Sequence, residues 1–394
     1  MKNWPSIVFI IIILTIIIMP SAILGMEYLS KPPEVQLEDK STLSGFTESQ
    51  VLPAFTIANW WSGEYQDQFS DWFAKHFAGR EKYIRASNQM YYTLFRKSYM
   101  YNQSIIVGKG NQLFEKPYID DYINEPAMDN QQIEEMLDRI AQVQRLLEQR
   151  GIAFVVLITP SKAYTYPEFL PSSVQNYQRT ISNYERIIPL LKESGIHFVD
   201  GQQITLELKE SQPYPLFCQG GTHWNDIAAL ESVWGLDALV KDITNWNTVP
   251  LKVSQQYVDN NPDSIDKDLA SLLNLLDQEW SYPAPHITLH RNDSTSYRRP
   301  KVVMVGGSFS DRPINFLTSS GWTNSLDFYS YYIKQLRFYP VDRGVAVTIQ
   351  PRDASWWNQH ILSKDLIILE INQIQFDGNH VRMFLEDALE FMQE

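Results

Sequence analysis

Hydrophobic and polar positions divide the chain into zones of different character. Residues 3–26 carry no charge, and the stretch IVFIIIILTIIIM at 7–19 is almost purely aliphatic. A run of that length spans a bilayer as a helix. Lys2 supplies a minimal positive leader for a signal peptide, but no clean small-x-small cleavage site follows in PSAILG. The expectation is an uncleaved, single-pass anchor over residues 1–26, with a cleaved signal peptide and secretion as the alternative. In both cases the body of the protein lies outside the cytoplasm. Residues 27–58 are polar and dotted with Pro, Ser and Thr, and read as a linker.

Between 63 and 98, apolar residues recur at helical spacing: Phe69, Trp72, Phe73 and Phe77, then Ile84, Met90, Tyr91 and Leu94, with a break at Gly79. This pattern predicts two amphipathic helices whose aromatic stripes are core positions. Short aliphatic runs then alternate with helical segments. Strands are expected at 104–108, 112–115, 152–160, 196–200 and 365–372, and one leads into the loop of KVVMVGGSFSD. Helices are expected up to Gly151, over 175–194 up to Gly195, over 226–241 and at the C-terminus, with the two glycines as left-handed caps. Continuously apolar strands between helices predict a three-layer α/β/α domain with a parallel central sheet, spanning 59–394. Residues 242–300 are polar and irregular apart from a helix near 266–277, and read as a possible insertion over the site. Ligands of such sheets bind beyond the carboxyl ends of the strands, which places TPSK, GGSFSD and EINQ at the candidate site.

The totals narrow the function classes. The chain has 394 residues, 44% of them hydrophobic, enough for a large core. A formal charge of -13 argues against nucleic acid, whose phosphates need a basic footprint. The single cysteine, Cys218, makes no internal disulfide, and the 7 histidines show no metal-binding pair at helical spacing. No metal and no cofactor are expected.

Two motifs carry chemistry. In VMVGGSFSD a hydrophobic strand runs into two glycines and then Ser308, a position where neighbouring N–H groups can face a developing oxyanion. In FCQGGTHWND, His223 stands at a loop that starts a helix. Either residue alone is more simply read as loop or core structure. Together they supply the nucleophile and the base of base-activated attack.

Four stretches in this order, IIVGKGNQLFE, TPSKAYTYPEFLP, GTHWND and VGGSFSD, resemble the SGNH-hydrolase-like domain of the alginate O-acetyltransferases AlgJ and AlgX, over roughly residues 60–394. The resemblance implies acetyl transfer to polysaccharide hydroxyls outside the cytoplasm of a bacterium, with Ser308 acetylated and His223 moving its proton. It also implies a multi-spanning membrane-bound O-acyltransferase as acetyl supplier, and anchoring to the cell membrane through the N-terminal helix.

Where the family carries aspartate in D-x-H-W and G-D-S, this chain carries Gly221 and Gly307. Replacement acids are sought in Asp226, which also reads as a helix cap, in Asp311 and in Glu370. Gly307 and Asn372 are candidate oxyanion contacts. Lys162 is a candidate substrate contact or a solvated loop lysine, Cys218 an apolar filler or alternative nucleophile, and Trp224 a packing residue. Three functions follow: an O-acetyltransferase, an acetyl-esterase with the same Ser-His pair, and a non-catalytic polysaccharide-binding or assembly subunit.

Overall fold

The computed structural model describes residues 4–30, 43–45, 52–77, 79–98, 104–277, 279–339, 347–350 and 352–392. Most of the expected linker at 27–58 lies outside them. The chain divides into two compact units, residues 1–102 with 271–279, and residues 103–270 with 280–394.

The first unit is helical. Helix Trp4–Ser30 contains the aliphatic run, and its side chains from Trp4 to Thr15 are almost all exposed. Several of its later side chains lie outside the described residues. Among the described residues, no helix is long and apolar enough to cross a membrane. The amphipathic pair forms as helices Glu64–His76 and Arg80–Phe95, broken at Gly79, whose φ of 79° is left-handed. Trp72 is buried and stacks on His76, but Phe69, Met90 and Leu94 are exposed, which corrects the expectation that the stripes are core positions throughout.

The second unit holds the sheet. Its strands are β1 (Ile105–Val107), β2 (Leu113–Glu115), β3 (Ala153–Thr159), β4 (Phe198–Asp200), β5 (Val253–Asp259), β6 (Ala284–Leu289), β7 (Lys301–Gly306), β8 (Ser325–Ser330), β9 (Lys334–Tyr339), β10 (Val347–Thr348) and β11 (Leu366–Asn372). Seven of them form one sheet in the order β10-β9-β8-β7-β11-β3-β4. From β8 to β4 all neighbours are parallel, whereas β9 and β10 pair antiparallel. The sheet is therefore mixed, which corrects the expectation of a purely parallel one. The cause is local: only Tyr331, Tyr332 and Ile333 separate β8 from β9, too few for the crossover a parallel pair requires.

The central strands are buried on both faces, which explains their unbroken hydrophobicity. Alternate side chains feed two cores. Val155, Leu157, Val302, Met304 and Ile368 meet helix Asp226–Thr244 and helix Asp311–Ser319 on one side. Phe154, Val156, Ile158, Val303, Val305 and Ile367 meet helices Asn130–Glu148, Asn183–Ser194 and Asn379–Met392 on the other. This is the three-layer α/β/α arrangement.

The helix expected over 175–194 begins later. Ser182 and Glu185 form a capping box at its start, and Gly195 ends it with a φ of 74°. The region 242–300 is more ordered than its polar sequence implies, with an antiparallel β5–β6 pair and, in the connection between them, the helix Asp268–Leu272. β5 escapes sequence reading because its side chains are almost all exposed, so no hydrophobic alternation marks it.

Candidate active site

The loops after β3, β7 and β11 emerge together at the carboxyl end of the parallel strands. β7 delivers the nucleophile candidate. After Gly306 and Gly307 the chain enters a single 3-10 turn, Ser308–Ser310, and passes directly into helix Asp311–Ser319. Ser308 thus heads a helical segment whose N-terminal dipole favours negative charge. Gly306 is required by close approach, since a Cβ there would lie 2.6 Å from the Glu370 carboxylate.

The partner loop is fixed by its own backbone. Phe217 and Trp224 form an isolated bridge, and Asn225 caps helix Asp226–Thr244 by accepting from Ile227 and Ala228 N–H. Trp224 is fully buried and donates its indole N–H to Phe309 O at 3.2 Å, tying this loop to the serine turn. Phe309 in turn packs on the His223 ring, with centroids 4.7 Å apart.

These constraints bring His223 Nε2 to 2.7 Å from Ser308 Oγ, across 85 residues of sequence. The other ring nitrogen, Nδ1, lies 2.8 Å from Asp268 Oδ2, off the line of the ring N–H. Such oblique contacts between catalytic groups tighten when substrate binds. Asp268 is itself oriented, because its Oδ1 accepts from Thr222 N at 2.9 Å and from Leu269 N at 2.7 Å. Serine, histidine and carboxylate therefore stand in the order that activates a serine nucleophile.

None of the three expected acids stands beside the imidazole. Asp226 opens helix Asp226–Thr244, where Asn225 is the cap, and its carboxylate pairs with Arg312 and accepts from Ile287 N at 2.8 Å. Asp311 opens the helix after the serine turn. Glu370 is fully buried beneath that turn, accepting from Gly307 N at 2.7 Å, from Thr159 Oγ1 and from Ser310 Oγ. Burial raises its pKa above the ordinary carboxylate value.

The same contacts remove two proposed oxyanion donors. Gly307 N–H is committed to Glu370, and Asn372 Nδ2 donates to Thr159 Oγ1 and Pro160 O. Lys162 is no solvated lysine. It is 2% exposed, and its ammonium donates to the carbonyls of Cys218 at 2.7 Å, Gln219 at 3.1 Å and Gly221 at 2.8 Å. Burial pushes its pKa down to about 7, against the opposing influence of Cys218 and Asp268. It clasps the loop that carries His223, with its ammonium committed to these three carbonyls. Cys218 is buried beside the Asp266 carboxylate, and both effects push its thiol pKa well up, which disfavours the thiolate.

Sequence reasoning missed Asp268, which lies in the region read as an insertion, and Glu115 at the end of β2. Burial raises the Glu115 pKa; nearby Asp268 adds to this and His223 opposes it, so Glu115 lies in the field of the relay. The available signal for Asp268 was its place at the start of the short helix in IDKDLASLL. Among the described residues, no group of three His, Cys, Asp or Glu side chains could hold a metal ion.

Residues 105–319 match the family model described as SGNH hydrolase-like domain, acetyltransferase AlgX. The chain is 26% identical over 156 residues to the probable alginate O-acetylase AlgJ of Pseudomonas aeruginosa. That match covers 38% of this chain and spans about a third (36%) of the relative. Among solved structures, the O-acetyltransferase domain of Pseudomonas putida AlgJ is similar with a TM-score of 0.45 and 17% identity, covering 69% of this chain and 92% of that one. AlgX of Pseudomonas aeruginosa is similar with a TM-score of 0.43 and 15% identity, covering 72% of this chain and 67% of that one.

Proposed function

We propose that this chain, which belongs to the family of SGNH hydrolase-like domains of the acetyltransferase AlgX, transfers acetyl groups to hydroxyls of a polysaccharide outside the cytoplasm. The observation that carries this reading is the relay Ser308–His223–Asp268, with contacts of 2.7 and 2.8 Å. Ser308 Oγ attacks the carbonyl carbon of an acetyl ester while His223 Nε2 takes its proton. Collapse of the tetrahedral adduct breaks the bond to the donor oxygen, which leaves with the proton from His223. An acceptor hydroxyl then attacks acetyl-Ser308, gives its proton to His223, and Ser308 Oγ takes that proton back as it departs. Asp268 holds the ring tautomer and stabilises the imidazolium formed in each half.

The sequence supports a membrane anchor, since residues 3–26 carry no charge, and the side chains of the N-terminal helix from Trp4 to Thr15 are almost all exposed. In this reading the protein is a single-pass protein of a bacterial cell membrane. A multi-spanning membrane-bound O-acyltransferase delivers acetyl groups to its outer side. With water as acceptor, the same chemistry makes an acetyl-esterase.

The test uses the full-length chain in detergent with a chromogenic acetyl ester, with and without an oligosaccharide acceptor. Ser308→Ala is expected to abolish ester turnover, and mass spectrometry should find acetyl on the sugar. Equal turnover by wild type and Ser308→Ala would sink the enzymatic reading. Acetate as the sole product would favour the esterase.

A further inference from the structure

The turn between β8 and β9 is built against local preference. Tyr331 and Tyr332 both have left-handed backbones, with φ of 48° and 56°. Bulky residues rarely adopt this conformation, and a turn with two such positions ordinarily uses Asn and Gly. Tyr332 has a packing reason to be there. It is fully buried, its hydroxyl donates to Asp387 at 2.8 Å and accepts from Trp357 Nε1 at 2.8 Å, and Arg352 lies over its ring.

Tyr331 has no such reason. It is 41% exposed, and among the described residues its hydroxyl has no hydrogen-bond partner. Its N–H donates to Gly306 O at 2.8 Å, which locks the residue to the strand that ends at the nucleophile. Its ring lies over Gly307, where an added Cβ would sit 3.1 Å from Cε1 and 3.2 Å from the hydroxyl oxygen. His380 props the ring edge-on, with centroids 5.9 Å apart. The fold thus accepts a strained backbone to hold a half-open aromatic face beside residue 307, one position before Ser308.

We propose that Tyr331 is the acceptor platform of this site: a pyranose of the acceptor chain stacks its C–H face on the Tyr331 ring, presenting a hydroxyl to acetyl-Ser308. A tyrosine ring suits this ligand because it offers a rigid apolar face with a polar tip. The assignment of the sugar as acceptor rests on the proposed function, whereas stacking of a pyranose on this ring is a binding statement that stands or falls separately.

The experiment therefore reads binding apart from chemistry. Full-length Ser308→Ala protein in detergent is titrated calorimetrically with an alginate hexasaccharide and with cellohexaose, with and without Tyr331→Ala. The expected result is binding of at least one sugar, weakened about three- to tenfold by Tyr331→Ala and restored by Tyr331→Trp. With Ser308 intact, Tyr331→Ala should lower the ratio of sugar-captured to water-captured acetyl by a similar factor. Thermal melts guard against misfolding: Tyr331→Gly, which relaxes the turn, should melt above Tyr331→Ala and show the same weakened binding. No sugar binding, or affinity unchanged in both the alanine and glycine variants, overturns the platform. A platform that binds sugar in a protein that forms no acetyl-Ser308 would leave this inference standing and remove the proposed reaction.

Discussion

Gly221 and Asp266 are packed so closely that a Cβ on Gly221 would lie 2.6 Å from the Asp266 carbonyl oxygen. The strand of chain that fills this space leads directly to Asp268, and it is pinned on both sides. Tyr282 donates to Asp266 O at 2.9 Å, Arg312 Nη2 pairs with Asp266 at 2.7 Å, and Ala270 N donates to Gly220 O at 2.9 Å. The glycine where the family carries an acid is thus the space that admits a carboxylate from elsewhere. A lost triad and a relocated one look identical at position 221, and the packing distinguishes them.

Restoring the family residue should accordingly fail. Gly221→Asp forces its side chain into the backbone of the segment bearing Asp268, and overpacking of this kind costs about 1–3 kcal/mol. The variant is expected to unfold at lower denaturant concentration and to turn over an acetyl ester more slowly than wild type. A gain of activity would show that Asp268 is not the working acid.

Asp268→Asn and Asp268→Ala test that acid directly. Loss of the orienting carboxylate of a serine triad lowers kcat by roughly 10⁴-fold. The same drop is expected here, with KM for the ester little changed. Asp226→Asn, which touches Arg312 and not the imidazole, should fall far less in kcat when measured on folded protein.

Lys162→Met should loosen the His223 loop, because three carbonyls lose their common donor. Small displacements of catalytic groups are costly, and kcat is expected to fall about 10- to 100-fold. The variant also changes the pH dependence of stability. In the folded protein burial pushes the Lys162 pKa down to about 7, against an ordinary lysine value of 10.5. Between these values the unfolded chain holds a proton that the folded protein has released, so this group makes stability rise with pH. Urea midpoints measured from pH 6.5 to 10 should climb more steeply for wild type than for Lys162→Met.

Glu370 holds the serine turn from below. Glu370→Ala would leave Gly307 N–H and the Thr159 hydroxyl unpaired in a fully buried site, at a cost of about 2–4 kcal/mol. Glu370→Gln keeps an acceptor and should be milder. Because burial raises this pKa, the folded protein retains a proton that the unfolded chain has released just above the ordinary carboxylate range. The contribution is therefore complete below that range and lost as pH rises through the raised value, a decline that Glu370→Gln should lack when midpoints are compared from pH 4 upward.

The sequence by itself determined the layers and half of the site. Unbroken aliphatic runs at β3, β7 and β11 can only be buried on both faces, and this determined the parallel centre of the sheet. Two glycines before Ser308, and the WN sequence after His223 that starts a helix, marked the ends of elements where side chains meet. Ser308, His223 and the family resemblance were all legible on that basis. Tertiary structure alone decided the acid, the fate of Lys162 and the antiparallel edge. Asp268 reaches the imidazole from 45 positions away in a polar segment whose β5 strand is exposed, so no periodicity announced it. Lys162 has the sequence context of an ordinary loop lysine, and its burial exists only because the Cys218–Gly221 carbonyls converge on it. Local pattern is set by neighbours in the chain. Which carboxylate meets which ring is set by where the fold leaves room, and here that room is the missing Cβ of Gly221.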